Sequence, residues 1–424
     1  MAQQTALSRN HLYRYQEEGA SFLSMRRHAL LADEMGLGKT VQAIIAAGIL
    51  GVEKLVVICP AIARSNWRRE LEQWNYSGET VIESYDKSIR PSFEHAVRKF
   101  APDLMILDEA HFLKNPKSKR TGTIFGKGCT GNGLIRYAKR VWLLSGTPMP
   151  NNASELWPMM HAMFGLRLNW WNYIRRYCRY EITSYGLKIS GNRNVEELKE
   201  ILKPHVLRRR QEHVLDDLPA MTWETVTIDP EDASRKPDET AEALSVRQAI
   251  NSGREFSSII QNPVLATLRR EVGLAKAAPA AKLVKDELQR MEYQKIFIVA
   301  YHRDVIGSLA ESLKDFGAVV VTGGTPSGKR QVLIDRFQVD PQCRVFIGQI
   351  TAAGTAITLT ATNQVLFAET SWSPGELVQA AKRCHRIGQK RPVFVRILSL
   401  SDSLDESVSR VLAGKAGMIS QILN

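Results

Sequence analysis

The sequence predicts an α/β protein built from two parallel-sheet lobes, and three observations carry that prediction. Short, almost unbroken apolar runs alternate with helix-like runs in two separate stretches of the chain. Strands that are buried on both faces have this look, because helices cover each side of a parallel sheet. A glycine-rich loop joins the first apolar run to a helix-like run. Finally, 424 residues are enough for two to three domains, each with its own core.

In the first stretch the strand candidates are His28 to Ala32, KLVVIC (54–59), LMIL (104–107) and VWLLS (141–145), with Val41 to Leu50 as the first helix. In the second they are KIFIVA (295–300), AVVVTG (318–323), CRVFIG (343–348), QVLFAE (364–369) and VFVRIL (393–398). The stretch between, 221–290, reads as a helical linker that opens on the polar run DPEDASRKPDET (229–240). The expected organisation is a first lobe over 1–220 with a helical insertion near 152–219, the linker over 221–290, a second lobe over 291–400 and a bracing helix over 401–424.

Apolar content of 44% and charged content of 24% are ordinary, but 57 basic against 44 acidic residues give a net charge of +13. A basic surface favours a polyanion, of which nucleic acid is the commonest. The N-terminus, MAQQTALSRN, shows no apolar core of signal-peptide length, and the longest nearly unbroken apolar stretch, Ala43 to Val52, is too short to span a bilayer. The five cysteines are scattered without a C-x-x-C pair, which argues against a zinc module or a disulfide framework. The expected setting is a reducing cytoplasm, in association with DNA and away from membranes.

Residues 31–44 read LADEMGLGKTVQAI. A loop between strand and helix, here Asp33, Glu34, Met35, Gly36, Leu37 and Gly38, can aim backbone N–H groups and a helix N-terminus at a triphosphate. Lys39 would reach the outer phosphates and the Thr40 hydroxyl would take Mg²⁺. The literal pattern needs glycine at position 33, where this chain has Asp33. LMILDEAH (104–111) supplies the partner motif: Asp108 to hold the metal shell and Glu109 to orient and deprotonate an attacking water. Together the motifs point to ATP and Mg²⁺, with no other metal.

A second glycine-lysine run, GGTPSGKR (323–330), ends in Arg330 where a hydroxyl would be needed. It reads as a strand-to-helix turn or a nucleic-acid backbone contact. Downstream, SPGELVQAAKRCHRIGQKR (373–391) starts with a capping box, Ser373 and Glu376, and Pro374 at the first helical position. Arg383 and Arg386, expected on one face of that helix, are either charge donors to a γ-phosphate or a basic helix end. Phe112 to Arg140 holds eight basic residues and no acid. Of these, Lys114, Lys117, Lys119, Arg120 and Lys127, together with Arg330, are the DNA-contact candidates; the alternative is a solvated helix and loop. In WWNYIRRYCRY (170–180), Trp171, Ile174 and Cys178 are spaced as a buried helix face, with the arginines outward.

The set GLGKT (36–40), DEAH (108–111), SGTP (145–148) and QAAKRCHRIGQ (379–389) resembles superfamily-two helicases of the Swi/Snf-related branch. LRRRQEHVLDDLP (207–219), W-S-P (372–374) and HRIGQ are the branch marks. GNRNVEELKEIL (191–202), QITAAGTAITLTA (349–361) and VLFAETSWSPGELVQA (365–380) are similar to the HARP-type annealing-helicase subgroup. The resemblance implies two RecA-like lobes with a nucleotide cleft between them. It implies that Gln16 reads adenine, that His111, Ser145 and Thr147 link nucleotide to DNA, and that Gly354 senses both. Gln379, Arg383 and Arg386 would close the site, which favours the charge-donor reading of the two arginines. Ala356 and Lys382 depart from the common pattern, yet neither removes a catalytic group. The implied activity is a monomeric, DNA-dependent ATPase tracking along double-stranded or forked DNA. A strand-separating DNA or RNA helicase, or the motor subunit of a larger complex, are the alternatives.

Overall fold

The computed structural model describes residues 12–149, 152–183, 186–214, 219–229, 231–233, 263–350, 357–369, 374–401, 403 and 405–409. Gly354, Ala356, Ser373, most of the polar run 229–240 and the segment 410–424 lie outside the described residues. The chain divides into two compact units, residues 1–214 and 215–424.

The first unit is organised by a six-stranded, all-parallel sheet. Its strands are β1 (His28–Leu31), β2 (Lys54–Cys59), β3 (Glu79–Ser84), β4 (Leu104–Asp108), β5 (Arg140–Leu144) and β8 (Val206–Leu207), ordered β3-β2-β4-β5-β1-β8. From β2, β4 and β5 come the apolar residues Leu55 to Cys59, Leu104 to Leu107 and Val141 to Leu144, all fully buried. That is why these strands were legible as continuous apolar runs. β3 was not, because Thr80 to Glu83 on this edge strand are only half-buried and its sequence, ETVIES, is correspondingly polar.

The expected helical insertion near 152–219 is only partly helical. Helices Trp157–Met163, Trp170–Tyr177 and Val195–Leu202 are present, but β6 (Cys178–Thr183) and β7 (Gly186–Asn192) form an antiparallel hairpin between them, and β8 returns to the main sheet. The buried face of Trp170–Tyr177 is Tyr173, Ile174 and Tyr177, continuing into Cys178, while Trp171 is 41% exposed. The expected face was therefore off by two residues at its start. Arg175 and Arg176 do point outward.

The second unit has its own parallel six-stranded sheet, ordered β11-β12-β10-β13-β14-β9. Its strands are β9 (Met221–Ile228), β10 (Ile296–Ala300), β11 (Val319–Val321), β12 (Val345–Gln349), β13 (Gln364–Phe367) and β14 (Val393–Leu400). β9 corrects the reading of 221–290 as a helical linker. MTWETVTI pairs in parallel with β14 along its whole length, as its β-branched composition favours on an edge. The helix Pro263–Gln289 also belongs to this unit, burying Val272, Ala277, Ala280, Ala281, Val284 and Leu288 in its core. The α/β architecture with two parallel-sheet lobes is the one the sequence predicts.

Candidate nucleotide site

In the first sheet β5 lies beside β1, and β4 lies beside β5, so the loops leaving their carboxyl ends meet. Ligands of open α/β sheets bind in such crevices. Gly36 and Gly38 take φ values of +90° and +71°, which side chains disfavour, and Gly38 caps the helix Lys39–Ile49 without a side-chain bond. A Cβ on Gly38 would lie 2.5 Å from Gln16 Nε2. Gln16 itself is buried, with its amide reaching the Leu37 carbonyl at 3.4 Å. Gly146, in the loop after β5, approaches so closely that a Cβ would lie 2.7 Å from Met35 Cγ and 3.3 Å from Lys39 Nζ. Lys39 donates to the carbonyls of Asp33 at 2.7 Å and Glu34 at 3.2 Å.

At the end of β4, Asp108 Oδ2 accepts from Trp67 Nε1 at 2.8 Å and Oδ1 accepts from the Glu109 N–H at 3.0 Å. Tyr85 OH donates to the Asp108 carbonyl at 2.8 Å. Burial, and then the neighbouring Glu109 carboxylate, raise the Asp108 pKa to about 6, while Trp67 and Lys39 oppose them. Glu109 sits at φ +52°. His111 Nδ1 lies 3.2 Å from Glu109 Oε2 and 3.3 Å from Ser145 Oγ, and Ser145 Oγ accepts from Thr147 N at 3.3 Å. DEAH and SGTP are thus joined by hydrogen bonds through His111. Trp67 and Tyr85 were not singled out from the sequence; only the fold brings them to the acid, from positions 41 and 23 residues away.

The SNF2-related domain matches residues 15–79 and 75–253, and the helicase conserved C-terminal domain matches residues 279–388. This chain belongs to the SNF2-related family. It is 31% identical over 444 residues to the SWI/SNF-related matrix-associated actin-dependent regulator of chromatin subfamily A-like protein 1 homolog of Caenorhabditis elegans, covering 97% of this chain and 62% of that protein. It is 29% identical over 450 residues to the DNA annealing helicase and endonuclease ZRANB3 of Mus musculus, covering 98% of this chain and 41% of that protein. The chain thus spans roughly half the length of the curated relatives it matches. Among solved structures, the Sulfolobus solfataricus SWI2/SNF2 ATPase core in complex with dsDNA is 24% identical at a TM-score of 0.44, covering 97% of this chain and 93% of that one.

Within this SNF2-related chain several expected roles change. The Asp33 carboxylate, expected in the phosphate loop, is fully buried and turned away from it. It accepts from Arg209 Nη2 at 2.6 Å, from Arg209 Nε and backbone N at 3.1 Å each, and from Gln42 Nε2 at 3.1 Å. Glu34 likewise accepts from the Gln211 N–H at 2.8 Å. Arg330, a candidate for DNA contact, is buried instead, with Nη2 donating to the carbonyls of Thr322 at 3.0 Å and Thr325 at 3.3 Å.

Arg383 and Arg386 do not share a helix face, because the helix Pro374–Ala381 ends before them. They lie in the following turns, where Gln389 Nε2 donates to the carbonyls of Thr362 at 2.8 Å, Cys384 at 3.2 Å and Thr360 at 3.3 Å and folds the segment back. Arg383 is buried, and Arg386 donates to the Ile357 carbonyl and the Thr358 hydroxyl at 2.9 Å each. Lys382 is buried too, which lowers its pKa to about 8.

The basic segment 112–140 is partly neutralised by acids from elsewhere in the first unit. Lys114 pairs with Glu155 at 2.8 Å, Arg120 with Asp86 at 3.1 Å, Arg136 with Glu94 at 3.3 Å and Lys139 with Asp103 at 2.7 Å. Lys117, Lys119 and Lys127 are exposed and form no salt bridge among the described residues. Among the described residues, no helix is long and apolar enough to cross a membrane, and no cluster of His, Cys, Asp and Glu could hold a metal ion by itself.

Proposed function

We propose that this chain is a DNA-dependent ATPase that translocates along double-stranded DNA as a monomer and remodels or anneals forks, or displaces bound proteins. The observation that carries the reading is the convergence of three loops, with Lys39, Asp108 and Gly146 at the carboxyl ends of adjacent parallel strands. The left-handed glycines and the helix N-terminus after Gly38 suit a phosphate chain. Gln16, which lies beside that turn, would read an adenine edge, since an amide can both donate and accept.

The Thr40 hydroxyl and Asp108 would hold Mg²⁺, a cation suited to oxygen donors, which would neutralise charge on the outer phosphates. Glu109 would orient the attacking water and take its proton, with His111 positioning the carboxylate. Arg383 and Arg386 would supply positive charge to the γ-phosphate, and Gln379 would accompany them. Lys117, Lys119 and Lys127 would meet DNA phosphates, a contact that carries no sequence information.

The test is ATP turnover by the full chain with and without duplex DNA, beside Lys39→Ala and Glu109→Gln. Stimulation by duplex and loss of turnover in both variants is the expected result. Turnover indifferent to DNA, or surviving both substitutions, would overturn the reading. Forked, single-stranded and RNA substrates at one fixed salt concentration then define the nucleic acid, since such affinities depend steeply on salt.

A further inference from the structure

A segment that lies 176 residues downstream of Asp33 in sequence runs alongside the phosphate loop. Beyond β1 and β8 the pairing continues: Leu30 N donates to the His205 carbonyl at 2.8 Å, Ala32 N to Leu207 at 2.7 Å and Glu34 N to Arg209 at 2.9 Å. Side chains then fasten the two segments together. The Arg209 guanidinium forks onto the Asp33 carboxylate, while its Nη2 also donates to Gln42 Oε1 at 2.8 Å and its Nη1 to the Tyr15 carbonyl. Gln211 grips the next two residues, through its backbone N–H to Glu34 and its amide to the Met35 carbonyl at 2.8 Å. The carbonyls on which Lys39 Nζ hangs belong to these same latched residues, Asp33 and Glu34.

We propose that Arg209 and Gln211 are positioning residues that hold the phosphate loop, and through it Lys39, in the shape that receives ATP. The aspartate at position 33, which breaks the literal loop pattern, is then the anchor of the latch. A buried bidentate arginine–carboxylate pair fixes geometry more tightly than a single contact does.

This inference rests on the ATPase reading, and its test separates the two. Binding of a fluorescent ATP analogue with Mg²⁺ is measured on the full chain without DNA, followed by kcat and KM for DNA-stimulated turnover. In Arg209→Ala, analogue affinity and KM should worsen roughly ten- to hundredfold, as misplacing a positioned group does, with a smaller change in kcat. Arg209→Lys should recover part of that loss, because it keeps the charge opposite Asp33 but not the fork. Gln211→Ala, which keeps the backbone bond to Glu34 and loses only the amide bond to Met35, should weaken binding several-fold while still melting cooperatively, and it decides the matter should Arg209→Ala not fold. Asp33→Gly, which supplies the glycine of the literal pattern, should bind the analogue as poorly as Arg209→Ala. Wild-type affinity in Gln211→Ala or in Asp33→Gly would overturn the latch. A wild-type chain that does not bind the analogue would overturn the ATPase reading beneath it.

Discussion

The molecule contains two glycine-lysine loops, each leaving a parallel strand and entering a helix, and they behave differently. At 36–40 two glycines are left-handed and Lys39 donates to the carbonyls of Asp33 and Glu34; at 323–330 none of Gly323, Gly324 and Gly328 takes a positive φ. The difference follows from sheet position. β1 lies inside its sheet, with β5 and then β4 to one side, so its loop meets the turn at Gly146 and the end of the strand that carries the acid pair. β11 is an edge strand whose one neighbour among the described residues, β12, ends in Gln349, and that amide oxygen accepts from Gly323 N at 3.0 Å. Arg330 then ties the turn to its own carbonyls. Two similar strings of residues thus become a candidate phosphate cradle and a closed turn.

The widest separation between them should appear in paired lysine substitutions. Lys39→Ala is expected to lower DNA-stimulated ATP turnover by at least about 10²-fold, the scale on which a preorganised charge acts in phosphoryl transfer. Lys329→Ala should leave turnover within about twofold of wild type on the same scale. Equal losses would break the comparison. A smaller effect sharpens the first loop alone: Trp67→Phe keeps an aromatic ring, smaller than the indole, but removes the N–H held by Asp108 Oδ2. Turnover should fall about 10- to 100-fold, as when the partner of a metal-holding group is removed, and raising Mg²⁺ should restore part of it. Loss that Mg²⁺ leaves untouched would mean that Trp67 serves packing only.

The least effect is expected from Arg330→Ala. Two carbonyls lose a buried donor, so stability should drop by about 1–3 kcal/mol in denaturant melts. The salt dependence of duplex binding should stay unchanged, whereas Lys127→Ala should reduce its log–log slope by about 0.9, one phosphate contact. A reduced slope in Arg330→Ala would return that residue to the DNA surface.

What could be read without coordinates depended on where each residue's partners lie in sequence. Buried parallel strands announce themselves through their own composition, so β2, β4, β5, β10, β12, β13 and β14 were all visible. β3 and β9 were hidden, because these two edge strands keep polar residues on their open sides, whereas the edge strand β11 is apolar throughout and was visible. Trp67 and Tyr85 were hidden for another reason: nothing local marks an indole or phenol as the partner of a distant carboxylate. The eight basic residues of 112–140 looked uniformly free only because the acids that neutralise four of them are supplied by other segments.

The sequence by itself determined the chemistry on offer: a lysine after left-handed glycines, an acid pair after a buried strand, and an excess of positive charge. Those follow from local pattern, since φ preferences, strand burial and helix starts are set within a few residues. Only the tertiary structure decided what Asp33 is for. Local sequence makes it a flaw in a phosphate loop; Arg209, brought alongside by the β1–β8 pairing, makes it a buried anchor. A charge can be that deeply buried only when its counter-charge is delivered to it, and delivery is a property of the fold.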